Sequence, residues 1–129
     1  QKGQLRQRGY FRADQRWGAF INYDGEGRAT KLIEWRNNQM NGEDVAFFPD
    51  GSPARKMTYK DGKPHGAILD FGKNGAQYAL HTYADGKRHG RTWILKEGDL
   101  GFMSGGCYAR GELLWKAADV KEARERACP

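Results

Sequence analysis

The feature that constrains this chain most is a period. Tyr59-Lys60-Asp61-Gly62-Lys63-Pro64-His65-Gly66 returns as Tyr83-Ala84-Asp85-Gly86-Lys87-Arg88-His89-Gly90, a shift of 24 positions (83 minus 59). The same shift carries Phe47 to Phe71, Asp50 to Asn74 and Gly51 to Gly75. Run backwards, it carries Tyr59 to Trp35, His65 to Asn41, Gly66 to Gly42 and Phe47 to Tyr23. Hairpin repeats run over about 20–112, three of the units in register. A fourth, with Leu95-Lys96-Glu97-Gly98 and Tyr108-Ala109-Arg110-Gly111, is degenerate, as terminal repeats that face solvent or a cap are.

Asp-Gly and Asn-Gly pairs tolerate the positive φ that tight hairpin turns require, so Asp50-Gly51, Asp61-Gly62, Asn74-Gly75 and Asp85-Gly86 each mark a chain reversal. The turn residues are therefore Gly51, Asp61, Gly62, His65, Gly66, Gly75, Asp85, Gly86, His89 and Gly90. Short extended runs lie between them, predicted at 17–23, 28–36, 42–48, 54–60, 66–72, 76–84, 90–96, 101–108 and 112–116. The fold class that follows is mainly β: a single domain, an antiparallel meander of repeated hairpins in an elongated twisted sheet.

Alternation within strands sorts side chains by face. Ile33/Trp35, Met57/Tyr59 and His81/Tyr83, with Val45/Phe47, Leu69/Phe71 and Trp93/Leu95, are expected on one packed face, which places Trp35, Phe47, Tyr59, Phe71, Tyr83 and Trp93 in the core. The opposite face carries Glu34, Asp44, Lys56, Thr58, Asp70, Thr82, Thr92 and Lys96 among Leu32, Phe48, Ile68, Leu80 and Ile94. Such a mixture suits either a partner-binding surface or the second side of a twisted sheet. Residues 117–127 place Ala117, Val120, Ala123 and Ala127 at helical spacing, predicting a C-terminal helix that covers a sheet edge.

Length and composition fit one globular domain: 129 residues, 38% hydrophobic and 29% charged. The 18 glycines, about twice the usual ~7% share, belong to the turns. The formal charge of +6 favours anionic partners, yet the basic residues are interleaved with acidic ones and form no long run. No apolar stretch is long enough to span a bilayer as a helix. The chain begins at Gln1, as either a processed product or a trimmed chain would. Cys107 and Cys128 are either one disulfide, as in an oxidising compartment, or two unrelated thiols.

A unit reading aromatic-x-Asp-Gly-Lys-x-His-Gly, followed by aromatic-x-x-(Asp/Asn)-Gly, resembles the MORN-repeat variant of bacterial antitoxin-like proteins. The likeness departs in the first unit, where Asn37-Asn38-Gln39-Met40-Asn41 replaces the turn motif, and in the last. The resemblance implies a periplasmic immunity protein, processed from a signal or lipoprotein segment, that binds and neutralises a type VI secretion lipase or phospholipase effector by occluding its active site. Membrane contact would then come through an N-terminal anchor since lost. Other MORN-type proteins are scaffolds or lie against membranes, so a basic peripheral membrane module, using Lys56, Lys60, Lys63, Lys87 and Arg88, is the alternative.

Catalytic signatures are not expected. Ser104 follows Phe102 where a nucleophile elbow needs glycine, and Gly62-Lys63 and Gly86-Lys87 lack the rest of a phosphate-binding loop. His65, His81 and His89 have no metal-ligand spacing, and Asp24-Gly25-Glu26-Gly27 lacks the later ligands of a calcium loop. His65 and His89 read as turn side chains bonding nearby backbone, and His81 as a satisfied core imidazole. The expectation is a binding protein and not an enzyme, without cofactor, metal or nucleic acid. Its oligomeric state is left open. Glu34, Asp44, Arg55 and Asp70 on the sheet surface are the expected partner contacts, with the tips at Lys63 and Arg88 next.

Overall fold

Reversals by Asp-Gly and its stand-ins fold the chain into a meander. The computed structural model describes residues 6–129, so Gln1 lies outside the described residues. The strands are β1 (Gln7–Arg8), β2 (Phe11–Arg12), β3 (Gln15–Arg16), β4 (Gly18–Tyr23), β5 (Ala29–Arg36), β6 (Gln39–Phe47), β7 (Pro53–Lys60), β8 (Lys63–Pro64), β9 (Gly66–Phe71), β10 (Gln77–Ala84), β11 (Lys87–Leu95), β12 (Phe102–Ala109) and β13 (Glu112–Lys116), followed by the helix α1 (Val120–Glu125). An 11-stranded antiparallel sheet runs β1-β4-β5-β6-β7-β9-β10-β11-β12-β13, with β8 paired to β7, and β2–β3 is a hairpin of its own.

Turn chemistry follows the period. Both central residues have positive φ at Asn37/Asn38 (50° and 65°), Asp61/Gly62 (51° and 83°), Asp85/Gly86 (51° and 83°) and Arg110/Gly111 (51° and 89°), the type I′ pattern of two-residue hairpins. The alternate loops close in another way. Gly27 N–H donates to the Asp24 carbonyl, Gly51 to Phe48 and Gly75 to Gly72, each again 24 positions on.

The repeat starts earlier than the sequence pattern suggested. Ala13 and Asp14 have φ of 50° and 66°, and Gly18 has 81°, which places them in phase with Asn37, Asn38 and Gly42. The pairings Gln7↔Asn22 and Arg8↔Ile21 likewise precede Lys31↔Ala46 and Leu32↔Val45 by one period. Residues 7–23 therefore form a further unit. Its turn had gone unseen because Ala13-Asp14 replaces Asp-Gly and Trp17 stands where the motif has histidine. Phe11 and Gly18, one period before Trp35 and Gly42, were the available signal.

Successive units are joined at their tips. The second turn residue of each hairpin donates its N–H to a carbonyl of the preceding unit: Asn38 to Arg16 at 3.2 Å, Gly62 to Met40 at 2.9 Å, Gly86 to Pro64 at 2.9 Å and Gly111 to Arg88 at 2.8 Å. The acceptors are themselves one period apart, so the tips form a continuous column that fixes each unit on the last. Nearest-neighbour stacking of this kind is what stabilises repeat proteins.

The face assignment needs correction. Paired residues of antiparallel strands share a face, and the register gives the row Ile21–Leu32–Val45–Lys56–Leu69–Leu80–Trp93–Gly105 on one side. The other side carries Phe20–Ile33–Asp44–Met57 and Ile68–His81–Thr92–Gly106–Lys116. Hence Val45, Leu69 and Trp93 lie opposite to Ile33, Met57 and His81, and neither face is uniformly apolar. Of the expected core aromatics only Trp93 is buried; Trp35, Phe47, Tyr59, Phe71 and Tyr83 are half-buried.

The helix decides where the core sits. Trp93, Leu95 and Ala123 form its buried centre, with Tyr78, Leu80, Phe102, Ala117 and Val120 packed around them. The helix is shorter than the predicted 117–127 because Ala117 still donates to the Gly105 carbonyl as an extension of strand pairing. Asp119 then caps the first turn by accepting from Glu122 N–H at 2.8 Å, while Glu122 accepts from Ala118 N–H at 2.7 Å. It packs on the faces of β11 and β12 rather than over an edge. Among the described residues β13 keeps an unpaired outer edge.

Cys107 and Cys128 are joined in a disulfide with Cα atoms 5.9 Å apart. Around it Arg91 donates to the Arg126 carbonyl at 2.7 Å and the Trp115 indole to the Ala127 carbonyl at 3.3 Å, so the tail after α1 is tied to the sheet.

Candidate functional site

The tip residues are structural connectors between units. His65 Nδ1 accepts from the backbone N–H of Asp85 at 3.3 Å, and His89 Nδ1 accepts from that of Arg110 at 3.1 Å. Asn41, at the equivalent position, donates to the Asp61 carboxylate at 3.2 Å. These side chains bond the next unit's turn, not their own. Lys63 lies alongside Gly86 in the same column, with its side-chain carbons about 3.8–4.0 Å from where a Cβ on that glycine would stand.

Two of the expected partner contacts are not available to a partner. Asp44 and Asp70 are 4% and 6% exposed. Each carboxylate is held by a cation: Lys31 at 3.6 Å from Asp44, and Arg55 with two bonds at 2.5 and 3.1 Å to Asp70. A buried charge must be paired, so these residues serve the sheet, and Arg55 is committed with them. Burial raises the Tyr59 hydroxyl pKa, with the Asp44 charge adding to the effect. Glu34 is likewise committed, since its carboxylate accepts the Glu43 N–H at 2.7 Å beside Gly42. The four acidic and basic residues expected to mark a contact surface thus form separate internal pairs. Asp24 is also spent locally. Its carboxylate accepts from the N–H groups of Glu26 at 2.8 Å and Arg28 at 3.0 Å, and these backbone bonds, that from Arg28 first, lower its pKa.

Nor do the five basic residues of the membrane alternative share a surface. Lys56 stands on the helix-bearing face near the Phe71 ring, 5.9 Å from its centroid. Arg88 is on the opposite face, paired with Tyr83.

What the structure brings together instead is a cleft on the face opposite the helix, at the C-terminal end of the sheet. It has a volume of about 320 Å³ and is lined from β10 to β13 by His81, Arg88, Thr92, Ser104, Tyr108 and Lys116, with Ile94, Met103 and Leu113 as apolar wall. Arg88 donates to the Tyr108 hydroxyl at 3.0 Å and stacks 5.1 Å from its ring centroid. The neighbouring Tyr83 hydroxyl raises the Arg88 pKa most, burial opposes it, and the Tyr108 hydroxyl adds to the rise. Arg88 is thus held in place by neutral groups. None of the seven ion pairs among the described residues includes Arg88 or Lys116.

His81 completes this cleft. His81 Nδ1 and the Thr92 hydroxyl are hydrogen-bonded at 2.8 Å, and the same hydroxyl lies 3.1 Å from the Leu80 carbonyl. Burial lowers the His81 pKa below its ordinary 6.5, Arg88 and Arg55 lower it further, and Asp70 opposes them. Ser104 lines the same cleft but makes no hydrogen bond to His81, so no nucleophile and base are paired here.

Beside the cleft the surface is apolar where water would favour polar groups. Met103 is 65% exposed, Leu113 44% and Leu114 50%. Leu113 and Leu114 belong to β13, whose outer edge is unpaired among the described residues. Sequence reasoning had no means to find the cleft and the surface beside it, because together their residues come from four strands and share no motif.

No protein-family model matches the chain, and no curated protein matches it. The family resemblance therefore rests on the repeat residues themselves.

Proposed function

We propose that this chain is an immunity protein, a rigid repeat sheet that binds a secreted lipolytic effector and blocks access to its active site. The observation that supports this reading most is the apolar surface of Met103, Leu113 and Leu114 around the free edge of β13, flanked by Arg88 and Lys116. An exposed edge with apolar side chains attracts a partner strand or an apolar mouth. An enzyme that admits acyl chains has such a mouth. The tip column supplies the stiffness that lowers the entropic cost of binding. The likeness to MORN-type antitoxin proteins supplies the class of partner, and the Cys107–Cys128 bridge suits an oxidising compartment such as the periplasm.

The test is a titration against a lipolytic enzyme, taken from the gene next to this chain's own where that gene encodes one. Release of fatty acid should fall stoichiometrically as the chain is added, and Leu114→Asp should weaken inhibition at least tenfold. A lipase that stays fully active in molar excess of the chain, with no heat of binding, removes the proposal.

A second reading has its own observation. Arg6, Arg8, Arg12, Arg16 and Arg36 at the N-terminal end enter none of the ion pairs among the described residues. Arg12 lies 4.7 Å over Trp17 and Arg16 4.9 Å over Trp35, beside exposed Tyr10 and Phe11. Arginines with aromatic rings suit an anionic lipid surface, each near-surface cation contributing about 1 kcal/mol. Flotation with anionic liposomes at low salt tests it, and a chain left in the soluble fraction excludes it.

A further inference from the structure

The lining of the C-terminal cleft is unbalanced in a way the repeat does not require. Arg88 and Lys116 contribute two cations, no aspartate or glutamate lines the cleft, and neither cation has an ion-pair partner among the described residues. Hydrogen bonding is unbalanced in the same sense. The Tyr108 oxygen accepts from Arg88, so its own proton is left for another acceptor, and Ser104 adds a second hydroxyl. A lining rich in donors and poor in acceptors is complementary to an anion. Because Arg88 is already held by Tyr108, little ordering remains to oppose binding. The rest of the wall, Ile94, Met103 and Leu113, is apolar and continuous with the charged end. At about 320 Å³ the cleft is at the small end of ligand sites, which run roughly 300–1,000 Å³.

We propose that this cleft binds a small amphipathic carboxylate, its head taken by Arg88, Lys116 and the Tyr108 hydroxyl and its alkyl tail laid along Ile94, Met103 and Leu113. Arginine suits the head because its planar fork meets the two coplanar oxygens of a carboxylate with two parallel hydrogen bonds. The site is independent of the identity of any partner protein, and its test needs none.

Calorimetry with octanoate, octanol and acetate on the purified chain separates head from tail. Octanoate is expected to bind at least tenfold more tightly than octanol or acetate. Arg88→Gln should weaken octanoate tenfold or more, with Arg88→Lys recovering part of that loss. Thermal melting of each variant shows whether it is folded. Leu113→Ser, on the exposed edge strand, offers a second route that adds no charge to the cleft, and it should abolish the advantage of octanoate over acetate. If octanol binds as tightly as octanoate, the cleft is only an apolar patch; if acetate does, it is only a charge. Either result overturns the proposal, as does a folded Arg88→Gln that binds octanoate unchanged.

Discussion

The backbone N–H of Asp85 donates to Nδ1 of His65 in the preceding unit, and Arg110 repeats the bond with His89. The histidine of the motif is thus a link between repeats, and its place in the period follows from the place of the turn it serves. A partly exposed bond of this kind contributes about 0.5–1.5 kcal/mol. His65→Ala and His89→Ala are each expected to cost about 1 kcal/mol, read from the urea midpoint. The double variant should cost about twice that, since the two bonds share no partner. A double variant with an unchanged midpoint would show that the tip column does not carry stability.

The aromatic positions separate into two groups. Trp93→Ala removes a side chain from the centre of the helix-covered core and should cost about 3–5 kcal/mol. Tyr59 is half-buried beside Asp44, so Tyr59→Ala should cost about 2 kcal/mol, well below the figure for a fully buried ring. Chemical denaturation of the two variants side by side checks the ordering. Equal losses would place the core elsewhere.

Gly105 tests the helix contact from below. A Cβ there would stand 2.9 Å from the Ala123 Cβ and 3.1 Å from the Thr92 carbonyl oxygen. Ala123 is fully buried and cannot retreat without moving α1. Gly105→Ala should therefore destabilise by about 1–3 kcal/mol, as overpacking does. The readout is a lower melting temperature with loss of near-ultraviolet signal from Trp93.

The disulfide should matter most to the end it ties down. Cys107 and Cys128 are 21 residues apart, for which loop-closure entropy alone gives about 3 kcal/mol. Cys128→Ser should lower stability by an amount of that order and raise hydrogen exchange across β13 and α1 before it affects β5 to β7. Reduction of the native chain should reproduce the effect, and uniform exchange across the sheet would contradict it.

How far the sequence could be read depended on whether the signal was local. The type I′ turns at Asp61-Gly62 and Asp85-Gly86 were legible because two residues and their neighbours specify them. The strands followed, and so did the meander. The sorting of faces failed because alternation relates residues only along one strand. Which face a residue shares with the next strand depends on how the turn sets register, here Leu32↔Val45 in place of Ile33↔Val45. Asp44 and Asp70 were misread for that reason. Their carboxylates looked like surface, but the register places them between half-buried side chains and their cations Lys31 and Arg55. The cleft had no local signal at all: His81, Arg88, Ser104 and Lys116 meet only through the pairing of four strands.

His81 gives the fold a dependence on pH whose sign can be worked out. Burial, then Arg88 and Arg55, hold its folded pKa below the ordinary 6.5 despite the opposing charge of Asp70. In the unfolded chain the ring protonates as pH falls through about 6.5, while in the folded chain it stays neutral to lower pH. Below about 6.5 the unfolded state therefore binds more protons, and stability declines. The contribution is complete above that value and is lost as pH falls towards and through the lowered folded pKa. Melting temperature should be flat from pH 8 to 7 and drop between pH 6.5 and 5, before the carboxylates that bond backbone, such as Asp24, begin to protonate. His81→Gln, made in the His65→Ala/His89→Ala double variant so that no other histidine remains, should remove the drop in that window and leave the acid limb below pH 4 in place. If the variant keeps the same decline between pH 6.5 and 5, the proton uptake belongs to another group and His81 is not held neutral by its surroundings.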